Sequence, residues 1–389
     1  MTSEVMNRHA LTMLSDEEQM FRDAIREFAE GEISPRTHDM EKAGRYDETL
    51  LPSLFEMGLM GVEIPETYGG TGGTFFQSIL AVEEISRWDA AVGVLVDVQN
   101  TLFNNGILRF GNEEQKAKYF PRVAKDTVAS YALSEANSGS DAFGLETRAT
   151  AQPDGSWVLS GRKMWITNGA EAEFFIVFAT VDPAKGYKGI TAFIVERDDP
   201  GFSVGKAESK MGIRASSTCE LILDQCRIPA NRLLGQEGKG YKIAMEILNE
   251  GRIGIGAQML GVADGALGAA TRYAQERIQF GKPIASFQAI QHQLAYCATY
   301  LEAARLLVYN AARLRDAGQP FLKEAAMAKL YSSEAAEFVT SAAVEIHGGY
   351  GYTTEYPVEK FYRDAKIGKI YEGTSFMQLT TIAKVLLGD

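Results

Sequence analysis

Pro229 and Pro283 bracket a long stretch without a proline, and most of it carries apolar residues at helical spacing. Proline is excluded from helix interiors because it lacks an N–H and its ring strikes the preceding turn. The spacing predicts long helices over roughly 240–278, 286–317 and 320–346, and a shorter one over about 375–387. Long helices joined by short breaks pack as an antiparallel bundle. Gly254, Gly261, Gly265 and Gly268 fall inside the first of them. Glycine weakens a helix, so these positions reflect either close approach of a neighbour or simple tolerance of small residues.

Upstream the pattern changes twice. From Val128 to about Pro229 the chain shows short β-branched and apolar runs, at 156–166, 173–181, 189–195 and 219–223. Turn signals separate them: Pro153-Asp154-Gly155, Asp182-Pro183 and Asp199-Pro200-Gly201. No helix-length pattern intervenes, which predicts an antiparallel β domain rather than a βαβ fold. Stretches 182–188 and 206–217 are its longer irregular pieces. Before Val128 the chain reads as helical. Ser15 and Glu18 form a capping box ahead of Phe21, Ala24, Ile25, Phe28 and Ala29, and Pro35 is expected to close that helix. Further helices are expected over 74–88 and 90–110, with a short one begun by Asn112 and Gln115 before Pro121. The resulting division is a helical domain over 1–127, a β-barrel-like domain over 128–232 and a four-helix bundle over 233–389.

A formal net charge of −12 argues against binding duplex nucleic acid or an anionic membrane. Cys219, Cys226 and Cys297 form no C-x-x-C, and His9, His38, His292 and His347 are scattered. Neither a disulfide framework nor a metal site is expected. No apolar run is expected to span a membrane. Glu4, Asp16, Glu17 and Glu18 near the start fit no signal-peptide core or transit pattern, so a cytoplasmic location is the simplest expectation.

Several nucleotide and nucleophile motifs fail. Gly254-Ile255-Gly256 lies in a helix and lacks the Rossmann spacing. Gly235–Gly240 lacks the P-loop Ser or Thr. Gly201-Phe202-Ser203-Val204-Gly205 matches a nucleophile-elbow string, but Asp199-Pro200 precedes it where a strand is needed.

Five segments hold more promise. Tyr131–Asp141 is crowded with hydroxyl and glycine residues suited to hydrogen-bonding a polar heterocycle; such a loop alone is usually a turn. Lys163–Gly169 ends a strand with the indole of Trp165, a residue more often core than contact. Glu276–Pro283 places Arg277 beside Phe280, and arginine suits a pyrophosphate, although most helix-end arginines face water. Glu345–Gly349 stops a helix with two glycines, as an ordinary C-cap would. Tyr371-Glu372-Gly373-Thr374-Ser375 sets a carboxylate at a glycine-permitted turn. Ser375 and Gln378 fit a capping box there. A carboxylate so placed can serve as a general base, though a lone Glu is usually solvated.

The order and spacing of these five segments resemble the acyl-CoA dehydrogenase family across essentially the whole chain. The resemblance is strongest to its short/branched-chain members, through Val96–Asn100, Arg214–Thr218, Leu248–Arg252 and Phe361–Lys366. It implies FAD as cofactor and α,β-dehydrogenation of a short or branched acyl-CoA to the trans-2-enoyl-CoA. Glu372 would take the α proton and hydride would pass to flavin N5. The backbone amide of Glu372 and a flavin hydroxyl would hold the enolate oxygen.

The resemblance also implies site roles. Tyr131, Leu133, Ser134, Trp165, Ile166 and Thr167 would line the flavin. Ser140 would sit where flavin meets acyl-CoA. Arg277, Phe280 and Gln288 would reach a neighbouring subunit's FAD, with Glu345, Ile346, His347, Gly348 and Gly349 at its adenosine end. Thr374, Ser375 and Phe376 would face the pyrophosphate at a helix start. Asn249, Glu250, Gly251, Arg252 and Gly373 would face substrate, with Tyr187 and Tyr241 as further candidates for that cleft.

The family's Thr-Glu-Pro stands here as Ser134-Glu135-Ala136, which keeps the hydroxyl and loses loop stiffness. Some members carry the base near Gly251, which makes Glu250 the competitor of Glu372. A homotetramer built as a dimer of dimers is implied, with electron-transfer flavoprotein as acceptor, a place in fatty acid or branched-chain amino acid breakdown, and a mitochondrial-matrix location for a eukaryotic source. An acyl-CoA oxidase-like flavoenzyme and a flavin-less acyl-CoA-binding scaffold remain the rival readings.

Overall fold

The computed structural model describes residues 10–388, so Glu4 and His9 lie outside the described residues. Helices come first: α1 (Asp16–Phe28), α2 (Thr37–Ala43), α3 (Leu50–Glu56), α4 (Phe75–Ser86), α5 (Ala90–Asp97), α6 (Asn105–Phe110) and α7 (Glu113–Val123). Three begin with reciprocal capping boxes, at Ser15/Glu18, Thr74/Gln77 and Asn112/Gln115. Each satisfies two of the N–H groups that a helix start leaves free. Pro35 does not end the first helical run. A π turn and a 3-10 turn carry the chain through it into α2, because proline is tolerated in a first turn. Pro121 likewise lies inside α7.

Between α5 and α6 the helix widens into a π stretch, Val98–Asn104, whose polar side chains are buried. Asn100 donates to Leu59 O and Val96 O, and accepts from Val62 N–H. Gln99 donates to Val123 O and Thr127 O, and accepts from Ala129 N–H. These bonds pin the helical part to the first strand.

Eight strands form one sheet: β1 (Ala129–Ala132), β2 (Arg148–Ala151), β3 (Trp157–Thr167), β4 (Phe174–Thr180), β5 (Ile190–Glu196), β6 (Phe202–Ala207), β7 (Thr218–Ile228) and β8 (Leu233–Leu234). Their order is β6-β7-β3-β2-β4-β5-β8, with β1 also on β4. The expectation of an antiparallel domain needs one amendment. β1 pairs with β4 in parallel along its length, and β2 meets β4 in parallel through Arg148 and Thr180. The strands β1, β2 and β6 are additions to the four expected runs, being short or rich in small and polar residues. β6 covers Gly201–Gly205 and runs antiparallel to β7, so no strand–turn–helix elbow exists there.

The remaining chain is helical: α8 (Gly240–Glu276), a two-stranded ribbon of β9 (Ile278–Gln279) and β10 (Lys282–Pro283), then α9 (Gln288–Asp316), α10 (Leu322–His347), α11 (Val358–Ala365) and α12 (Ser375–Leu387). α11 is an addition to the expected set. Among the described helices α8 alone is long and apolar enough to cross a membrane, but it is mostly buried in protein. Its glycines explain how it packs. A Cβ at Gly261 would strike Glu83 O, one at Gly265 would strike Arg87 O, and one at Gly254 would overlap the Asp97 carboxylate. Gly268 has no neighbour closer than 3.5 Å and is merely tolerated.

Candidate active site

Glu372 lies between a 3-10 turn (Lys366–Lys369) and α12. It has φ of 50°, and Gly373 follows at 85°. A left-handed glutamate is strained because its Cβ crowds the backbone, and such strain persists only where the surroundings enforce it. Lys329 of α10 donates from Nζ to Gly373 O at 2.7 Å. Gln378 donates from Nε2 to Glu372 O at 3.0 Å and to Gly373 O at 2.8 Å. The cap of α12 is Thr374, whose hydroxyl accepts from Met377 N–H. Ser375 is the first helical residue, so the expected Ser375–Gln378 box does not form. Gln378 instead ties the turn back to the helix.

Although Glu372 is partly exposed as a residue, its Oε2 is sealed from water and has no hydrogen-bond partner. Burial pushes its carboxyl up to about 7, against the opposing pull of Arg252 and Lys329. Gly251 of α8 makes room for it: a Cβ there would sit 3.2 Å from Oε2 and 2.8 Å from Leu102. One helical turn on, Gly254 makes room for Asp97, and burial holds the Asp97 carboxyl well above its usual range. Tyr131 of β1 is buried, with its ring against Phe178 and its hydroxyl unpartnered. The Glu372 N–H has no acceptor among the described residues and stays free for a ligand.

Glu250 does not compete as a base. Its carboxylate accepts from Asn105 at 2.7 Å, Arg109 at 2.7 Å, and Arg315 at 3.3 and 3.4 Å. The side chain is engaged in an ion network with Asn105, Arg109 and Arg315. Its neighbour Arg252 donates to Asn249 at 3.0 Å, while the Arg252 Nε is buried without a partner. Tyr187 and Tyr241 meet edge to face at 4.9 Å beside the start of α8.

The predicted flavin-side residues also assemble. Trp165 sits in a bulge of β3 with φ of 64°, and its indole is 58% exposed. A bulge re-aims a side chain out of the ladder, and a large exposed aromatic held in strain needs an occupant to cover it. Ile166 is buried and Thr167 half-buried beside it. Leu133 O accepts from Lys163 Nζ, and Ser134 O accepts from Met164 N–H. Glu135 accepts from Lys163 at 2.7 Å and from the backbone of Glu146 and Thr147. Lys163 and Glu135 thus fix the Leu133–Ser134 backbone; neither was assigned a role from sequence. Their signal was two charges inside otherwise apolar or small-residue segments. Ser140 is exposed at the loop rim.

Arg277, Phe280, Ile346, His347, Gly348 and Gly349 come together elsewhere, around a separate open cavity of about 750 Å³. Phe280 is 93% exposed, and His347 stacks on Tyr273 at 4.2 Å. Glu345 accepts from Gln293 outside its wall, and Gln288 is exposed at the start of α9. Phe376 is exposed on α12. Neither Glu372 nor Trp165 lines this cavity. The two groups therefore belong to separate parts of the surface.

Models of the acyl-CoA dehydrogenase N-terminal, middle and C-terminal domains match residues 15–127, 130–226 and 238–387. The chain belongs to the acyl-CoA dehydrogenase family. Its sequence is 53% identical over 97% of its length, and 91% of the relative's, to a probable short/branched chain specific acyl-CoA dehydrogenase of Dictyostelium discoideum. It is also 46% identical to an acryloyl-CoA reductase (NADH) of Anaerotignum propionicum, covering 96% of this chain and 95% of that one. The butyryl-CoA dehydrogenase structure of Megasphaera elsdenii superposes with a TM-score of 0.95 at 44% identity, over 96% of this chain and 99% of that one. This acyl-CoA dehydrogenase family member is therefore an oxidoreductase with the family's fold.

Proposed function

We propose that the chain removes the α proton of a short or 2-methyl-branched acyl-CoA with Glu372 and yields the trans-2-enoyl-CoA. The observation that carries this reading is the Glu372 carboxylate, with a buried, unpartnered Oε2 on a left-handed backbone, and burial pushing its carboxyl up to about 7. A thioester α proton is weakly acidic, so a desolvated carboxylate with raised proton affinity suits its removal. The free Glu372 N–H supplies a donor for the oxygen that gains charge as the proton leaves.

The residues present fit FAD. The exposed Trp165 indole offers a flat face, Leu133 and Ser134 offer a clamped backbone, and the buried, unpartnered Ser375 Oγ lies in the first turn of α12. The flavin, when bound, accepts hydride from the β carbon. Trp165, Thr167 and Ser134 would hold its ring, and the start of α12 its phosphates. Arg277, Phe280 and His347 would grip the far end of a neighbouring subunit's cofactor, which requires at least a dimer. Electron-transfer flavoprotein is the proposed acceptor.

The direction of the reaction is open to the same site, since the Anaerotignum relative is named as a reductase. Anaerobic addition of a panel of acyl-CoAs should bleach the bound flavin, fastest with short or 2-methyl-branched chains. No bleaching by any saturated acyl-CoA, with reoxidation by an enoyl-CoA, would instead assign the reductive direction. Peroxide production without an added acceptor would assign an oxidase.

A further inference from the structure

Lys329 lies in the apolar face of α10 and has no exposed surface. Its one side-chain hydrogen bond among the described residues goes to Gly373 O. Burying an ammonium is costly unless something compensates, and one carbonyl compensates poorly. A methionine would fill the same space without that cost. What the position offers is proximity to Glu372: burial pushes the Lys329 ammonium down to about 7, while the Glu372 carboxylate pulls it back up.

Gly373 O receives both Lys329 Nζ and Gln378 Nε2, so the carbonyl just after the base is held from two sides. Glu372 and Gly373 both occupy the left-handed region, where a glutamate does not stay without restraint. The grip on Gly373 O therefore sets where the Glu372 side chain and its N–H point. The remaining titratable groups facing Glu372 are Arg252 from α8, Asp97 from α5, Tyr131 from β1 and the adjacent Tyr371. Arg252 is turned toward Asn249. Asp97 is an acid and opposes ionisation of the base.

We infer that Lys329 is the positioning residue of the base: it locks the Glu372–Gly373 turn through Gly373 O and places its amine beside the Glu372 carboxylate. This rests on Glu372 being the proton acceptor proposed above. The charge and the lock are separable. Glutamine at 329 keeps a donor for Gly373 O and drops the charge, whereas methionine drops both.

Removing a cation beside a carboxylate disfavours its charged form, so the carboxyl stays protonated to higher pH. The test compares the parent with K329Q and K329M. Exchange of the acyl-CoA α proton with deuterated solvent is followed against pH, and the Glu372 carboxyl is titrated by infrared difference against E372Q, which needs no turnover. In K329Q the acid limb of exchange and the infrared midpoint should both move up by about one pH unit or more, with exchange on the high-pH plateau preserved. In K329M the plateau should also fall, by roughly tenfold or more.

A limb and midpoint unmoved in both variants would overturn the inference, as would failure of both to fold, which would make Lys329 a folding determinant only. If the parent itself exchanges no α proton, the assignment of Glu372 falls first, and the two failures are thereby distinguished.

Discussion

Two carboxylates meet at the same stretch of α8, Glu250 carried by the helix and Glu372 lodged against it, and the protein treats them in opposite ways. Glu250 is met by Asn105, Arg109 and Arg315, and Arg315 reaches on to Glu63 at 2.7 Å. Glu372, lodged against Gly251, has no hydrogen bond to its Oε2, and the nearest cations act on it without contact. Glu250 is buried and Glu372 has one buried oxygen, so burial alone does not mark a reactive group. Incomplete pairing does: a fully bonded carboxylate has no lone pair left for a proton, while an unbonded one in a dry site seeks one.

The contrast is sharpest in a paired substitution. E372Q should keep bound flavin and normal stability but lose turnover by about 10²–10⁴-fold, measured as anaerobic flavin bleaching. E250A should do the reverse. It removes one partner each from Arg109 and Arg315, which keep Glu246 and Glu63, and leaves the buried Asn105 short of an acceptor; it should cost about 1–3 kcal/mol in urea unfolding, while the folded fraction still bleaches. Similar catalytic losses in both would break the comparison.

The groove that admits the second carboxylate is testable next. G254A forces a methyl group into the Asp97 carboxylate and should destabilise by about 1–3 kcal/mol, read as a lowered Tm. The pH dependence follows from the raised carboxyl of Glu372. The active form is the carboxylate, so kcat/KM should be level above about 7 and fall roughly tenfold per pH unit below it. An acid limb near the ordinary carboxylate range would show a wetter base. The smallest effect concerns the start of α12. T374A should cost about 1 kcal/mol as a lost helix cap, whereas S375A should stay within about 0.5 kcal/mol.

The three-part plan of helices, sheet and bundle was legible because the period of the apolar residues switches near Val128 and again after Pro229. Capping boxes at Ser15 and Asn112 were legible for the same local reason, since each needs only four consecutive residues. The parallel seat of β1 on β4 was not, because pairing direction depends on where a distant strand lies. The Thr374 cap was misread as Ser375 because two adjacent hydroxyl residues offer the same chemistry and only backbone angles choose between them. The burial of Lys329 and Asp97 has a signal in the sequence. Each is a charge set into an apolar helical run, Ala325–Leu330 and Ala90–Val98, where burial is enforced by the neighbours. Trp165 was placed at a strand end, but the bulge that turns its indole outward arises from a register shift against β7.

α8 runs unbroken from Gly240 to Glu276, a rod about 55 Å long at the usual helical rise. Near its middle it accommodates Glu372 and Asp97, and its last turn carries Tyr273 at the rim of the far cavity. A stiff lever of that length magnifies small tilts. Shifting its midpoint to admit a bulkier acyl chain would also swing the wall of that far cavity. Changes in substrate range in this lineage should therefore be accompanied by compensating substitutions around Tyr273 and His347, well away from the thioester.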